Sequence, residues 1–164
     1  SATMLPGMCR WNFLQSKTNS HLPISMPDFL LDTNVVSELR RGAKCNPGLA
    51  TWQAEQSTDA YHLSVVTLME IRLGVELARR RNPKQAELLQ NWYATKVRAA
   101  FTNRTLPVTL EIAEKCAELH AGRTRPFRDS LILATALVHN LVVVTRNTKD
   151  FIDSSAQVLN PWSP

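Results

Sequence analysis

Four residues far apart along the chain carry side chains suited to one kind of chemistry: Asp32, Glu70, Asp129 and Asn147. Taken singly, each acid has an ordinary explanation. Asp32 and Asp129 stand where helices would begin, and an acid that caps a helix or complements its dipole contributes about 0.5 to 2 kcal/mol in any α/β protein. Glu70 falls beside the apolar Met69 and Ile71 rather than opposite them, although pairing with an arginine such as Arg72 would account for that. As a set they are harder to explain. Two carboxylates about 4 Å apart repel by roughly 4 kcal/mol at an effective dielectric of 20, so three in one place offset much of a typical stability of about 5 to 15 kcal/mol. Such a cluster needs a cation. Oxygen donors from Asp, Glu and Asn, with no Cys or His among them, suit Mg2+ or Mn2+ rather than zinc.

The elements that must position these residues follow from periodicity. Phe29 to Leu31 is a short continuous apolar run, and Asp32-Thr33-Asn34 can turn and cap a helix beginning near Val35. Asn46-Pro47 starts a second helix, and Tyr61 to Val65 reads as a second strand. Residues 67–80 and 83–101 each repeat apolar side chains every three or four positions, with Asn82-Pro83 between them, which predicts a helical hairpin. Such a hairpin often buries one face and leaves an apolar edge for another chain. A brief strand at 104–108, a helix at 110–121, a helix opened by Asp129 and a β-branched strand at 141–145 follow. A helical turn around 148–152 and a strand near Val158-Leu159 close the pattern. Short apolar strands alternating with helices mean an α/β domain whose parallel sheet is covered on both faces. In such sheets the ligand crevice lies at the carboxyl ends of the strands, and that rule selects Asp32, Glu70 in the first turn of its helix, Asp129 and Asn147 for one pocket.

At the same residues the chain resembles a known family. Phe29-Leu-Leu-Asp-Thr-Asn-Val-Val-Ser-Glu38 is similar to the opening of VapC-like PIN-domain toxins, and Val66-Thr-Leu-Met-Glu-Ile-Arg-Leu-Gly74 looks like their second acidic motif. Asp129-Ser-Leu-Ile-Leu-Ala-Thr-Ala136 and Val144-Thr-Arg-Asn-Thr-Lys-Asp-Phe151 look like the third and fourth, and the ending Leu159-Asn-Pro-Trp162 is similar to the FitB branch. The resemblance implies a three-layer α/β/α PIN-like domain spanning 26–164, and an endoribonuclease toxin of a type II toxin-antitoxin module that cuts RNA with Mg2+ or Mn2+. It also implies a cognate antitoxin, with operator DNA reached only through the antitoxin complex. Carried over by position, Asp32 and Asp129 bind metal directly and Glu70 assists, through water. Thr33, Asn34 and Thr145 support the acids by hydrogen bonding. Asn147 takes the fourth position, where many relatives have Asp, and Asp150 is the other acid of that motif. A neutral amide offers less to a second cation.

The implied chemistry is metal-assisted phosphodiester hydrolysis, with Arg72 and Arg146 as candidates to position the substrate. Two rivals stand beside it. An aspartate after the first strand also opens phosphotransferases of the haloacid dehalogenase type, but those need a second Asp two residues on, where Asn34 stands. The other rival is a catalytically weak PIN-fold binding module that acts with a partner on nucleic acid.

Composition sets the remaining bounds. At 164 residues, with 44% hydrophobic and 20% charged side chains, the chain suits one folded domain. A net charge of +5 favours a polyanionic partner, but only weakly, because several cations form the run Arg79-Arg80-Arg81 at a helix end. Cys9, Cys45 and Cys116 form no CxxC pair and indicate neither a disulfide framework nor a zinc site. No apolar run is long enough for a membrane span, and a cytoplasmic homodimer is expected. Residues 1–25 show no period and are expected to be a poorly ordered extension or a tag remnant.

Overall fold

A computed structural model of the chain describes residues 27–152 and 155–162. The expectation for residues 1–25 lies outside the described residues.

The architecture follows from the pleat. Strand β1 (Phe29–Leu31) and strand β4 (Val142–Val144) are wholly buried, so every side chain needs an apolar partner on one face or the other. Phe29, Leu31, Val142 and Val144 point into one core with Val35, Val36, Leu39 and Leu49. Leu30 and Val143, one residue out of phase, enter a second core with Ile132, Leu133 and Ala136. Two cores back to back on one sheet make three layers, α/β/α.

Strand β2 (Tyr61–Ser64), strand β3 (Thr105–Leu106) and strand β5 (Val158–Leu159) complete a sheet of order β3-β2-β1-β4-β5, parallel throughout. The chain runs outward from β1 to β2 and β3, then returns to the other side of β1 for β4. The gap between the carboxyl ends of β1 and β4 is therefore the topological switch point, where ligands of open parallel sheets bind.

Helix α1 (Thr33–Leu39) starts directly after β1, and helix α2 (Pro47–Glu55) is capped by Asn46, whose side chain accepts from Gly48 N and Leu49 N. Helix α3 (Val65–Arg81) and helix α4 (Pro83–Trp92), the latter continued by a π-helical stretch (Tyr93–Arg98), form the expected hairpin. Val65, Met69, Leu73 and Leu77 repeat every fourth position of α3 and are between 41% and 51% exposed, so the hairpin presents an apolar stripe to solvent. Helix α5 (Leu110–Gly122) and helix α6 (Phe127–His139) cover the opposite face. Among the described residues no helix is long and apolar enough to cross a membrane. Cys116 is free and buried.

Candidate functional site

Register assembles the first half of the site. Leu31 pairs with Val144, so the next residues, Asp32 and Thr145, emerge side by side where β1 and β4 end. Thr145 Oγ1 donates to Asp32 Oδ2 at 2.7 Å, and its lone pairs accept from Asn34 Nδ2 (3.1 Å) and Asn147 N (3.0 Å). Asn34 is used just as fully: its amide also donates to Asp32 Oδ2 (3.2 Å), and its Oδ1 accepts from Arg146 N (3.1 Å). Thr33 N completes the set by donating to Asp32 Oδ1 at 2.7 Å, so Asp32 is both the cap of α1 and the centre of a saturated network. Asp32 as a residue is 6% exposed. Burial pushes its pKa up, the bonds from Thr145, Thr33 and Asn34 work against that, and the charge of Asp150 adds to the rise.

The second half comes from two helices. Ser64 caps α3 by accepting from Val66 N, which starts the helix two residues earlier than its periodicity suggested and puts Glu70 in the second turn, not the first. Thr33 Oγ1 donates to Glu70 Oε1 at 2.9 Å, and Arg128 Nη1 pairs with Glu70 Oε2 at 3.3 Å. Asp129 is the third residue of α6, in its first turn, where the helix dipole favours an anion. Among the described residues no hydrogen bond reaches its carboxylate. Burial, then the charges of Asp32, Asp150 and Glu70, raise its pKa from 3.8 to about 6, with Arg128 opposing. Glu70 is likewise raised, by burial first and by Asp32, with Thr33 and Arg128 opposing.

Asn147 enters the same crevice, where its side-chain amide donates to the Asp150 carboxylate. Residues 32, 33, 34, 70, 129, 145, 147 and 150 are thus brought together. Arg72 is not. Two residues after Glu70 the helix has turned by about 200°, so Arg72 faces α4, donates to Gln90 and pairs with Glu76 at 2.6 Å. Arg146 is exposed at the rim and meets the network through its backbone. The arginine that does reach the acids, Arg128, was not singled out by spacing; its position immediately before Asp129 was the available signal. Arg125 was also missed: it is 7% exposed and donates to Asp150 O at 3.3 Å, and its Nε has no partner among the described residues.

Among the described residues no group of three or more His, Cys, Asp or Glu is arranged to hold a metal ion outright. The expected sharing of one ion by Asp32, Glu70 and Asp129 is therefore not preformed. The donor chemistry still fits a hard cation. Mg2+ binds through one or two carboxylates and keeps several waters, and Asp32 and Asp129 are two such groups, each raised first by burial and then by neighbouring carboxylates whose charge a cation would offset.

The chain belongs to the PIN-domain family, which it matches over residues 29–154. Within that family it is related to VapC- and FitB-type toxins. It is 34% identical to the VapC ribonuclease Y4jK of Sinorhizobium fredii over 82% of this chain and 98% of the relative. Identity to the toxin FitB of Neisseria gonorrhoeae is 33%, over 81% and 97%. The structure of FitAB bound to an IR36 DNA fragment superposes with a TM-score of 0.73, at 32% identity, covering 83% of this chain and 96% of that one.

Proposed function

We propose that this chain is a metal-dependent endoribonuclease, the toxin of a type II toxin-antitoxin module, that hydrolyses RNA phosphodiester bonds at the carboxyl-end crevice. The observation that carries the reading is the Asp129 carboxylate, which feels Asp32, Asp150 and Glu70 together and has only Arg128 against them. An acidic crevice at the switch point, with one arginine against several carboxylates, is what a phosphate-handling cation requires. Kinship with a ribonuclease and with a toxin supports the same activity.

Asp32 and Asp129 would hold Mg2+ or Mn2+, with Glu70 assisting through water; when bound, the ion orients and acidifies water and stabilises charge on the phosphate. The protein's own groups do the rest. Thr33, Asn34 and Thr145 fix the Asp32 carboxylate in one orientation. Thr33 and Arg128 hold Glu70 between them. Arg128 and Arg146, both exposed, offer positive charge to the RNA backbone at the rim. As partners we assign a cognate antitoxin, operator DNA through that complex, and a second copy of the chain. The FitAB–DNA structure supports the first two.

The test is RNA cleavage by purified protein at fixed Mg2+. Asp32→Asn should lower the rate by about 100-fold or more, since a residue acting at the reacting centre contributes that much. Equal rates for the variant and the parent would sink the nuclease reading. Asn147, and the lack of a closed three-acid cage, favour a second reading in which the fold binds nucleic acid with a partner without efficient cutting. Calorimetric titration with Mn2+ separates the two: the nuclease reading expects binding that Asp129→Ala removes.

A further inference from the structure

We propose that Arg125 is a positioning residue of the acidic crevice: by holding the main-chain carbonyl of Asp150, it ties the turn that carries Asp150 to the helix start that carries Asp129. The spacing of the two carboxylates is fixed in this way. The proposal rests on the nuclease reading and adds to it a residue that acts on the site through another's main chain.

Arg125 is 7% exposed and directly precedes Pro126, the residue that caps α6. An arginine is almost never buried this far without a carboxylate to share its charge, because an isolated buried cation costs several kcal/mol. Among the described residues no carboxylate pairs with Arg125, and its Nη1 donates instead to Asp150 O at 3.3 Å. Packing does not account for that choice. An apolar side chain of similar length would fill the space without burying a charge. What it could not do is hold a carbonyl.

The carbonyl belongs to the 3-10 turn Thr148–Phe151. That turn is lightly secured by its own main chain, since Asp150 N reaches Asn147 O at 3.4 Å, long for a hydrogen bond. One end is anchored by Phe151, which is fully buried with Leu30 and Ile132. Beside it stands Asp150, whose carboxylate accepts from Asn147 and whose charge acts on both Asp32 and Asp129. The turn packs against α6 and β5, so a guanidinium fixed just before α6 joins the two elements that bear the acids. Arg123, from the same loop, donates to Lys149 O at 3.1 Å but is exposed, where water competes for the bond. The buried contact is the stronger tie. Without it the turn is free to swing and carry the Asp150 charge away from the ion, which weakens metal binding without removing a ligand.

The experiment titrates the metal-free full chain with Mn2+ in a calorimeter. Arg125→Met should weaken binding by about 10-fold, the usual cost of losing a residue that orients a metal site from outside it. Arg125→Lys, whose ammonium can still donate to the carbonyl, should recover part of the loss. Arg123→Ala should bind within about 2-fold of the parent. The deciding variants add Asp150→Asn. Once that charge is gone, Arg125→Met should cost less than about 2-fold more, because two residues acting through one group do not add. A full second loss of about 10-fold there would show that Arg125 acts by packing, and would overturn the proposal. Should Arg125→Met not unfold cooperatively in urea, Arg125→Lys carries the same cycle. Hydrogen exchange in the metal-free protein gives a readout that owes nothing to the ion: Arg125→Met should speed exchange in the 148–151 turn and leave β4 and the body of α6 unchanged. Faster exchange throughout the chain would mean general destabilisation and would equally count against the positioning role. If the parent neither binds Mn2+ nor cuts RNA, the nuclease reading fails first and takes this role with it. If the parent does both and Arg125→Met binds Mn2+ as tightly, the positioning role alone is wrong.

Discussion

Asp32 caps α1 from beneath the surface with three donors on its carboxylate, whereas Asp129, in the first turn of α6, is half-buried and has no hydrogen bond among the described residues. Both pKa values are raised, but by different balances. At Asp32 burial is opposed by hydrogen bonds from Thr145, Thr33 and Asn34, and Asp150 is the one charge adding to it. At Asp129 three neighbouring carboxylates reinforce burial and a single arginine opposes it. The fold itself provides for the charge on Asp32. For Asp129 it leaves that charge with a single opposing arginine, which is the state that the proposed metal-ligand role would relieve.

The sharpest way to break this contrast is to make the same isosteric change at both positions. Asn at 129 should abolish RNA cleavage, by about 100-fold or more, yet stabilise the metal-free fold at neutral pH, because it removes a charge that three carboxylates repel. Asn at 32 should also abolish cleavage but destabilise the fold by about 1 to 3 kcal/mol, because its NH2 replaces one carboxylate oxygen and in either orientation faces a donor, Thr33 N in one and Asn34 Nδ2 in the other. Urea unfolding in EDTA measures both. Stability changes of the same sign would show that the two carboxylates are not treated differently.

The pH dependence follows from the same imbalance. The Asp129 pKa is about 6 in the fold against 3.8 when unfolded, so between those values the folded state binds more protons. Its contribution to stability is full below 3.8, is lost as pH rises through about 6, and stays lost above that. A half-exposed carboxylate is screened by solvent, so the loss is about 1 kcal/mol rather than the full value of the shift. Metal-free parent should lose stability relative to Asp129→Asn across that window, and the two should converge in acid. A difference independent of pH would remove the charge argument.

Parts of this contrast are legible in the sequence and parts are not. The β-branched run over 141–145 and the apolar run ending at Leu31 locate two strands, and the rule for parallel sheets then brings Asp32 and Asn147 to one edge. What helps there is period: the strands are buried on both faces, so their runs are continuous. Arg72 and Arg128 show the limit. Which arginine meets Glu70 depends on rotation about α3 and on how α6 lies across the sheet, and neither is carried by local spacing. Arg72, nearer in sequence, turns to Gln90, while Arg128, 58 residues away, makes the contact. Spacing is equally silent on how closely the acids approach: among the described residues no three His, Cys, Asp or Glu form a group that could hold a metal ion. His120 and Phe127 meet across the turn between two helices, and no periodicity in either helix announces that stack.

Asn147 offers a smaller test. Its amide donates to Asp150, so Asn147→Asp replaces a hydrogen bond with repulsion next to an acidic site. Metal-free stability should fall by about 1 to 2 kcal/mol. Affinity for Mn2+ should rise, since the added carboxylate suits a second cation. Lower stability without tighter metal binding would mean that the amide is structural and that the fourth motif position lies out of the ion's reach.

The smallest effect is expected at Thr33, which links the two halves of the site through one hydroxyl. Thr33→Val keeps the shape and the backbone N–H that Asp32 accepts, and removes only the 2.9 Å bond to Glu70. Stability should fall by about 0.5 to 1.5 kcal/mol. That bond holds the Glu70 pKa down against burial and the charge of Asp32, so without it the carboxyl should titrate higher still. NMR titration of the Glu70 side chain in metal-free protein reads this directly, while Asp32, whose own donors are untouched, serves as the internal reference. If Glu70 stays put while Asp32 moves, the two carboxylates are coupled through charge alone and the hydroxyl does not connect them.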